Sequence, residues 1–183
     1  MTWIKHHYKL IGVITTLIVI NVSLLLIGPQ SLVDSIGMKN VYIIVFTIAS
    51  LGGMSSLTGA TYINAIVVFA AGGANPWLIG LFGGLGIFIS DSIFYLLATY
   101  GHKVVPLKWR PTLKRIMDKM SVLSKRKVLI FTYIYHILPL PSDLMMLALV
   151  LGGYSYKTVA PVILLAALTY STLVAHFGSL WFY

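Results

Sequence analysis

One stretch constrains this chain more than any other. Trp77–Tyr100 is apolar throughout except for a single charge, Asp91. As a helix it reaches roughly 36 Å at 1.5 Å per residue, enough to cross a hydrocarbon core of about 30 Å. A carboxyl at that depth is costly and marks a functional position. It can carry a proton at neutral pH and so act as a switchable site. The chain has only four acids, Asp34, Asp91, Asp118 and Asp143, and no Glu. The second acid of interest, Asp143, follows the break Leu138-Pro139-Leu140-Pro141-Ser142 between two more apolar runs.

Other apolar runs complete the pattern. With 58% hydrophobic and 9% charged residues in 183, against about 25% charged in soluble domains, the chain reads as one integral membrane domain. Residues 10–27 form a transmembrane helix. Lys5 and Lys9 precede it as in a signal peptide, but its length and its Leu25-Leu26-Ile27-Gly28-Pro29 end suggest a retained helix. Gly28–Asn40 reads as a polar link. Residues 41–73 are two short apolar runs around Gly52-Gly53-Met54-Ser55-Ser56-Leu57-Thr58-Gly59. After the span at 77–100 comes a basic segment, 102–127. Residues 128–153 are again two short runs around a break, and 158–177 form a last span. Neither broken segment has one uninterrupted run able to cross alone, so each is a broken span or a re-entrant loop.

The order half-helix, break, half-helix, span thus occurs twice, and each copy passes through a Gly-Gly pair, Gly72-Gly73 and Gly152-Gly153. The expected fold is an all-α polytopic membrane protein. It is an inverted repeat of a re-entrant helix pair plus a transmembrane helix, with an extra N-terminal transmembrane helix. Broken segments in corresponding places point to a binding site near the midplane.

Charge favours the re-entrant form. Nine of the thirteen Lys and Arg lie in 102–127. If both broken segments return to the face they entered, Lys5, Lys9, Lys157 and these nine share one side and only Lys39 lies opposite. If both cross, Lys5, Lys9 and Lys157 fall on the wrong side. The expected location is the cell membrane, with the N-terminus and basic segment cytoplasmic. Trp3, Tyr8, Trp77, Trp109, Trp181 and Tyr183 fall near span ends, as an aromatic belt.

The candidate coupling residues are Asp91, Asp143 and His136. Tyr95, four residues after Asp91, shares its helix face and is placed to bond it. Ser142 or Asp143 is placed to cap the half-helix that begins at Leu144. That helix end, buried at the midplane, suits an anionic phosphate or carboxylate. Thr58, Thr61 and Asn64 line the first break, either satisfying freed backbone groups or binding a head group. Gly80 and Gly84 have the spacing of a close helix contact. In 111–127, Leu113, Ile116, Met117, Met120 and Leu123 alternate with basic residues, the pattern of an interfacial helix. Lys108, Arg110, Lys114 and Arg115 would hold anionic lipid, each contributing roughly 1 kcal/mol near such a surface.

Several classes are set aside. The absence of Cys excludes disulfides, thiolate metal sites and cysteine nucleophiles. Neither acid has the Gly-x-Gly-Asp context of an intramembrane aspartyl protease. Gly53-Met54-Ser55-Ser56 is not the Gly-x-Ser-Gly of a rhomboid. No enzyme activity, cofactor, metal or nucleic-acid partner is expected. Three spans enclose little volume, which leaves room for a homo-oligomer.

Two regions carry a family resemblance. The first is Ala65-Ile66-Val67-Val68-Phe69-Ala70-Ala71-Gly72-Gly73-Ala74-Asn75-Pro76, followed by Gly83-Gly84-Leu85-Gly86 and Ser90-Asp91-x-x-x-Tyr95. The second is His136-Ile137-Leu138-Pro139-Leu140-Pro141-Ser142-Asp143 with Gly152-Gly153. Together, over about residues 41–178, they resemble the DedA family, also called the SNARE-associated Golgi protein or VTT-domain family. The family commonly carries an acid where this chain reads Tyr62-Ile63-Asn64-Ala65, and an Arg near the place of His136. The resemblance implies transport of a polyprenyl phosphate or phospholipid between leaflets, flippase- or scramblase-like, with membrane lipids as partners and proton coupling through the acids. A proton- or cation-coupled transporter of small solutes and a non-transporting assembly factor are the alternatives.

Overall fold

The computed structural model describes residues 28–52, 56–101 and 110–180, together with residues 15, 18, 19, 22 and 23. The expected helix at 10–27, the residues Gly53–Ser55 of the first break, and Lys108 therefore lie outside a continuous description. Within the described residues the chain is all-helical. The elements are α1 (Pro29–Ile36), α2 (Met38–Gly52), α3 (Ser56–Ala71), α4 (Pro76–Gly101), α5 (Arg110–Ser121), α6 (Lys125–Ile137), α7 (Ser142–Leu151) and α8 (Tyr156–Leu180).

α4 and α8 are each long and apolar enough to cross a membrane, and a third span is present if the bent pair α1–α2 counts as one. That bend, 100°, corrects the reading of Gly28–Asn40 as a plain link. Pro29 begins a short helix, with its fixed φ suited to the first turn. Leu32, Val33 and Ile36 seal this helix onto the core, with Val33 fully buried. Gly37, at φ 84°, turns the corner, and α2 starts at once, three residues earlier than the apolar run suggests.

The two long helices are antiparallel. Gly80 faces Thr172 and Gly84 faces Leu168, so close that a Cβ on either glycine would lie 2.7 Å from the opposing Cα. The other helices pack by exchange. α2 packs on α4 and α6 on α8, while α3 crosses to α8 and α7 crosses to α4. Two cores result. The first joins Val41, Val45, Ile66 and Phe69 with Ile79 of α4 and Ala175 of α8. The second joins Val128, Met145, Met146 and Leu149 with Tyr95 of α4 and Val159 and Ile163 of α8. Each core thus takes one end of both long helices.

The Gly-Gly turns match bond for bond. Gly72 N–H donates to Val68, Gly73 to Ala70 and Ala74 to Phe69. Gly152 donates to Ala148, Gly153 to Val150 and Tyr154 to Leu149. Gly73 and Gly153 both take positive φ, 89° and 74°, which Gly adopts without steric cost.

α2 runs alongside α4. Tyr42 stacks near Phe82 at 5.9 Å between ring centroids, and Ala49 packs on Gly86. The C-terminal end of α2 therefore reaches about the level of Asp91. α7, with ten residues, is about 15 Å long, half a hydrocarbon core. Leu81, Ile93, Leu97, Leu165, Leu173 and Phe177 stand exposed on the outside, as a lipid solvent permits.

α5 forms within the expected basic segment, but its apolar face is partly covered. Leu113 and Met120 are buried and Met120, with Ile116, belongs to the second core. Part of that face packs against α7, while Met117 and Leu123 stay partly exposed. Lys114, Arg115 and Lys119 remain exposed.

Candidate functional site

Asp91 sits near the middle of α4 and is 1% exposed. α4 places it there because its neighbours Ile87, Phe88 and Phe94 pack inward on either side, leaving the carboxyl to face the start of α7. Ser142 Oγ–H, on the first residue of α7, donates to Asp91 Oδ1 at 2.9 Å. Asp91 Oδ2 has no hydrogen-bond partner among the described residues. It lies 3.9 Å from His136 Nε2, too far for a hydrogen bond, and that nitrogen is likewise unpartnered.

The tautomer of His136 follows from its other side. Nδ1 lies 2.8 Å from the Thr132 carbonyl. A carbonyl only accepts, so Nδ1 carries the hydrogen and the neutral ring presents a lone pair at Nε2. That lone pair faces a carboxylate oxygen. The pair is at ease only when a proton or a donor group lies between them.

The two breaks share one cavity of about 290 Å³. Gly52, Gly59, Ala60 and Tyr62 line it from the first break. Leu138–Asp143 line it from the second, with His136. Asp91, Ile87, Ala167 and Tyr170 line it from the long helices. Asp91, His136, Ser142 and Asp143 are therefore brought together, as the sequence suggests. Among the described lining residues there is no Lys or Arg.

The second break is braced. Its N-cap position is Pro141, and no side chain caps α7. Ser142 directs its hydroxyl to Asp91 instead, which corrects the capping assignment for that residue. Tyr135 Oη–H donates to the Pro141 carbonyl at 3.0 Å, tying α6 to the break.

Other expected residues fall elsewhere. Tyr95 does share the face of Asp91, but its hydroxyl donates to the Tyr154 carbonyl and the residue packs in the second core. It fastens α4 to the turn before α8 and is absent from the cavity wall. Thr61 and Asn64 are half-buried, absent from the described wall, and each has an interaction of its own. The side chains of Thr58 and Arg110 lie outside the described residues. Lys114 and Arg115 are exposed on α5 and are not part of the described cavity wall. Among the described residues no three His, Asp or Glu cluster to hold a metal.

Sequence reasoning missed Tyr62, Tyr170 and Ser171. Tyr62 Oη and Ser171 Oγ share a buried hydrogen bond of 2.6 Å, linking α3 to α8. Its signal lay in the repeat. The 80 residues that separate Gly72 from Gly152 also separate Tyr62 from Ser142 and Asp91 from Ser171. At that same offset the bond Tyr62–Ser171 corresponds to the bond Ser142–Asp91, with Ser171 at the position of Asp91. Comparison with protein-family models, with curated proteins and with solved structures finds no match to this chain.

Proposed function

We propose that this chain is a lipid transporter that passes a head group between leaflets through the cavity between its two breaks. The observation that carries the reading is the cavity itself. It lies at mid-length of two antiparallel helices able to cross a membrane, and it is lined by residues at the ends of shorter helices from both breaks. On this reading the two broken pairs are re-entrant loops entering from opposite faces. Three features support an inverted repeat about an axis in the membrane plane: the antiparallel α4–α8 contact, the exchanged packing and the equivalent bonds at an offset of 80 residues. Such repeats carry alternating access, one half rocking against the other around a fixed site. The DedA resemblance points the same way.

Asp91 and His136 give the cavity a place for one proton. Head-group passage would exchange with that proton, so the site need never hold an unpaired charge. The exposed basic residues from Lys114 to Lys127 would gather anionic lipid at the cytoplasmic surface. The anionic-substrate expectation is harder to keep inside the cavity. The α7 N-terminus, expected to receive a phosphate, already faces Asp91 and bears Asp143 in its own first turn, which offsets its positive end.

The small cavity volume also suits a soluble solute, the second reading. A leaflet-exchange assay with acyl-labelled phospholipids in proteoliposomes decides. Protein-dependent exchange that Asp91→Asn abolishes supports lipid transport. No exchange of any phospholipid, or exchange indifferent to Asp91→Asn, sinks it.

A further inference from the structure

The cavity wall is rich in acceptors. Asp91 Oδ2 and His136 Nε2 stand 3.9 Å apart with side chains 1% and 3% exposed, and neither has a partner among the described residues. The Thr132 carbonyl holds the ring proton on the far nitrogen, so both groups present lone pairs. Asp143 adds a second carboxyl to the same wall, and Tyr62 and Tyr170 add aromatic rings.

A phosphate brings only acceptors and negative charge. The nearest hydroxyl, on Ser142, has already given its hydrogen to Asp91. A primary ammonium is the complement, with three donors, no acceptor and one positive charge. One N–H to each unpartnered atom satisfies both at once. It also supplies the counter-charge without which a buried carboxylate is costly. Neighbouring aromatic rings favour a cation further. A cavity of about 290 Å³ has room for an ethanolamine-sized group.

We infer that the cavity binds a primary ammonium group, carried on a phospholipid head, between Asp91 and His136. This rests on the lipid-transport reading and narrows it to amine-headed lipids.

The test uses the full chain in phosphatidylcholine nanodiscs, titrated separately with dihexanoyl phosphatidylethanolamine, dihexanoyl phosphatidylglycerol and free ethanolamine, with thermal unfolding as the readout. The phosphatidylcholine matrix is zwitterionic and its quaternary ammonium has no N–H to donate, so it does not mimic the ligand. The ethanolamine lipid should raise the melting temperature at concentrations about tenfold lower than the glycerol lipid. Asp91→Asn should remove that preference. Equal or stronger stabilisation by the glycerol lipid overturns the inference, and this comparison on the unsubstituted protein decides even where Asp91→Asn does not fold. Free ethanolamine matching the lipid would keep the amine site and sink the lipid reading. Leaflet exchange with no preference for ethanolamine heads would do the reverse, leaving transport standing and this inference lost.

Discussion

Ser142→Ala and Ser171→Ala form a matched pair, because the two serines make equivalent bonds between the halves but only one of those bonds touches an acid. Ser171→Ala leaves the hydroxyl of Tyr62, a residue 3% exposed, without its 2.6 Å partner. A neutral bond of this kind contributes about 0.5–1.5 kcal/mol in water, and interhelical bonds in membranes average about 0.6 kcal/mol. Ser142→Ala removes the donor 2.9 Å from Asp91 Oδ1. A bond to a charged group contributes about 1.5–3 kcal/mol, so Ser142→Ala should destabilise more, by about 1 kcal/mol. Equilibrium unfolding in mixed micelles measures that difference. Transport should separate them further. Ser171→Ala should stay within about twofold of the parent exchange rate. Ser142→Ala releases Asp91 from the α7 end and shifts how readily it takes a proton. A change of 1.4 kcal/mol in that step is about tenfold in rate. If both substitutions slow exchange equally, or neither does, the acid-bearing bond is only a fastener and the argument for Asp91 as the working group fails.

Three further outcomes follow from the packing. Gly84→Leu places side-chain atoms where Leu168 backbone already lies, so it should abolish a monodisperse peak in size-exclusion chromatography, while Gly59→Ala, with open space around it, should not. Tyr95→Phe removes the bond to the Tyr154 carbonyl and should lower stability by about 1 kcal/mol with exchange unchanged; lost exchange at full stability would place Tyr95 in the pathway after all. Reversing Lys114 and Arg115 to Glu should weaken attraction to vesicles containing phosphatidylglycerol by about 1 kcal/mol or more per position, visible as a loss of salt-dependent vesicle binding.

Local signals carried most of the helix order. The two prolines at 139 and 141 mark the second break because neither can continue a helix there. The Gly-Gly pairs mark both turns because each supplies the positive φ that ends a helix. Asp91 stood out because a charge in an apolar run has no cheap bland explanation. What escaped depended on tertiary partners. Pro29–Ile36 looked like a link because Pro-Gln-Ser is polar, and its three apolar residues matter only once α3 is beside them. Tyr95 was placed on the right face, yet the Tyr154 carbonyl, 59 residues away, took its hydroxyl. Tyr62 and Ser171 have no charge to betray them, and only the repeat register joins them.

The matching Gly-Gly turns reach beyond local geometry. A polypeptide half this long, present in two copies inserted in opposite orientations, would rebuild the same architecture from identical pieces. It would then have to carry the same group at both central positions, two acids or two serines. In the single chain that obligation is absent, and the positions 80 residues apart hold Asp91 and Ser171. The two centres therefore differ: Ser142 bonds an acid at one, and Tyr62 bonds a neutral hydroxyl at the other, a difference that no symmetric pair of identical copies could have.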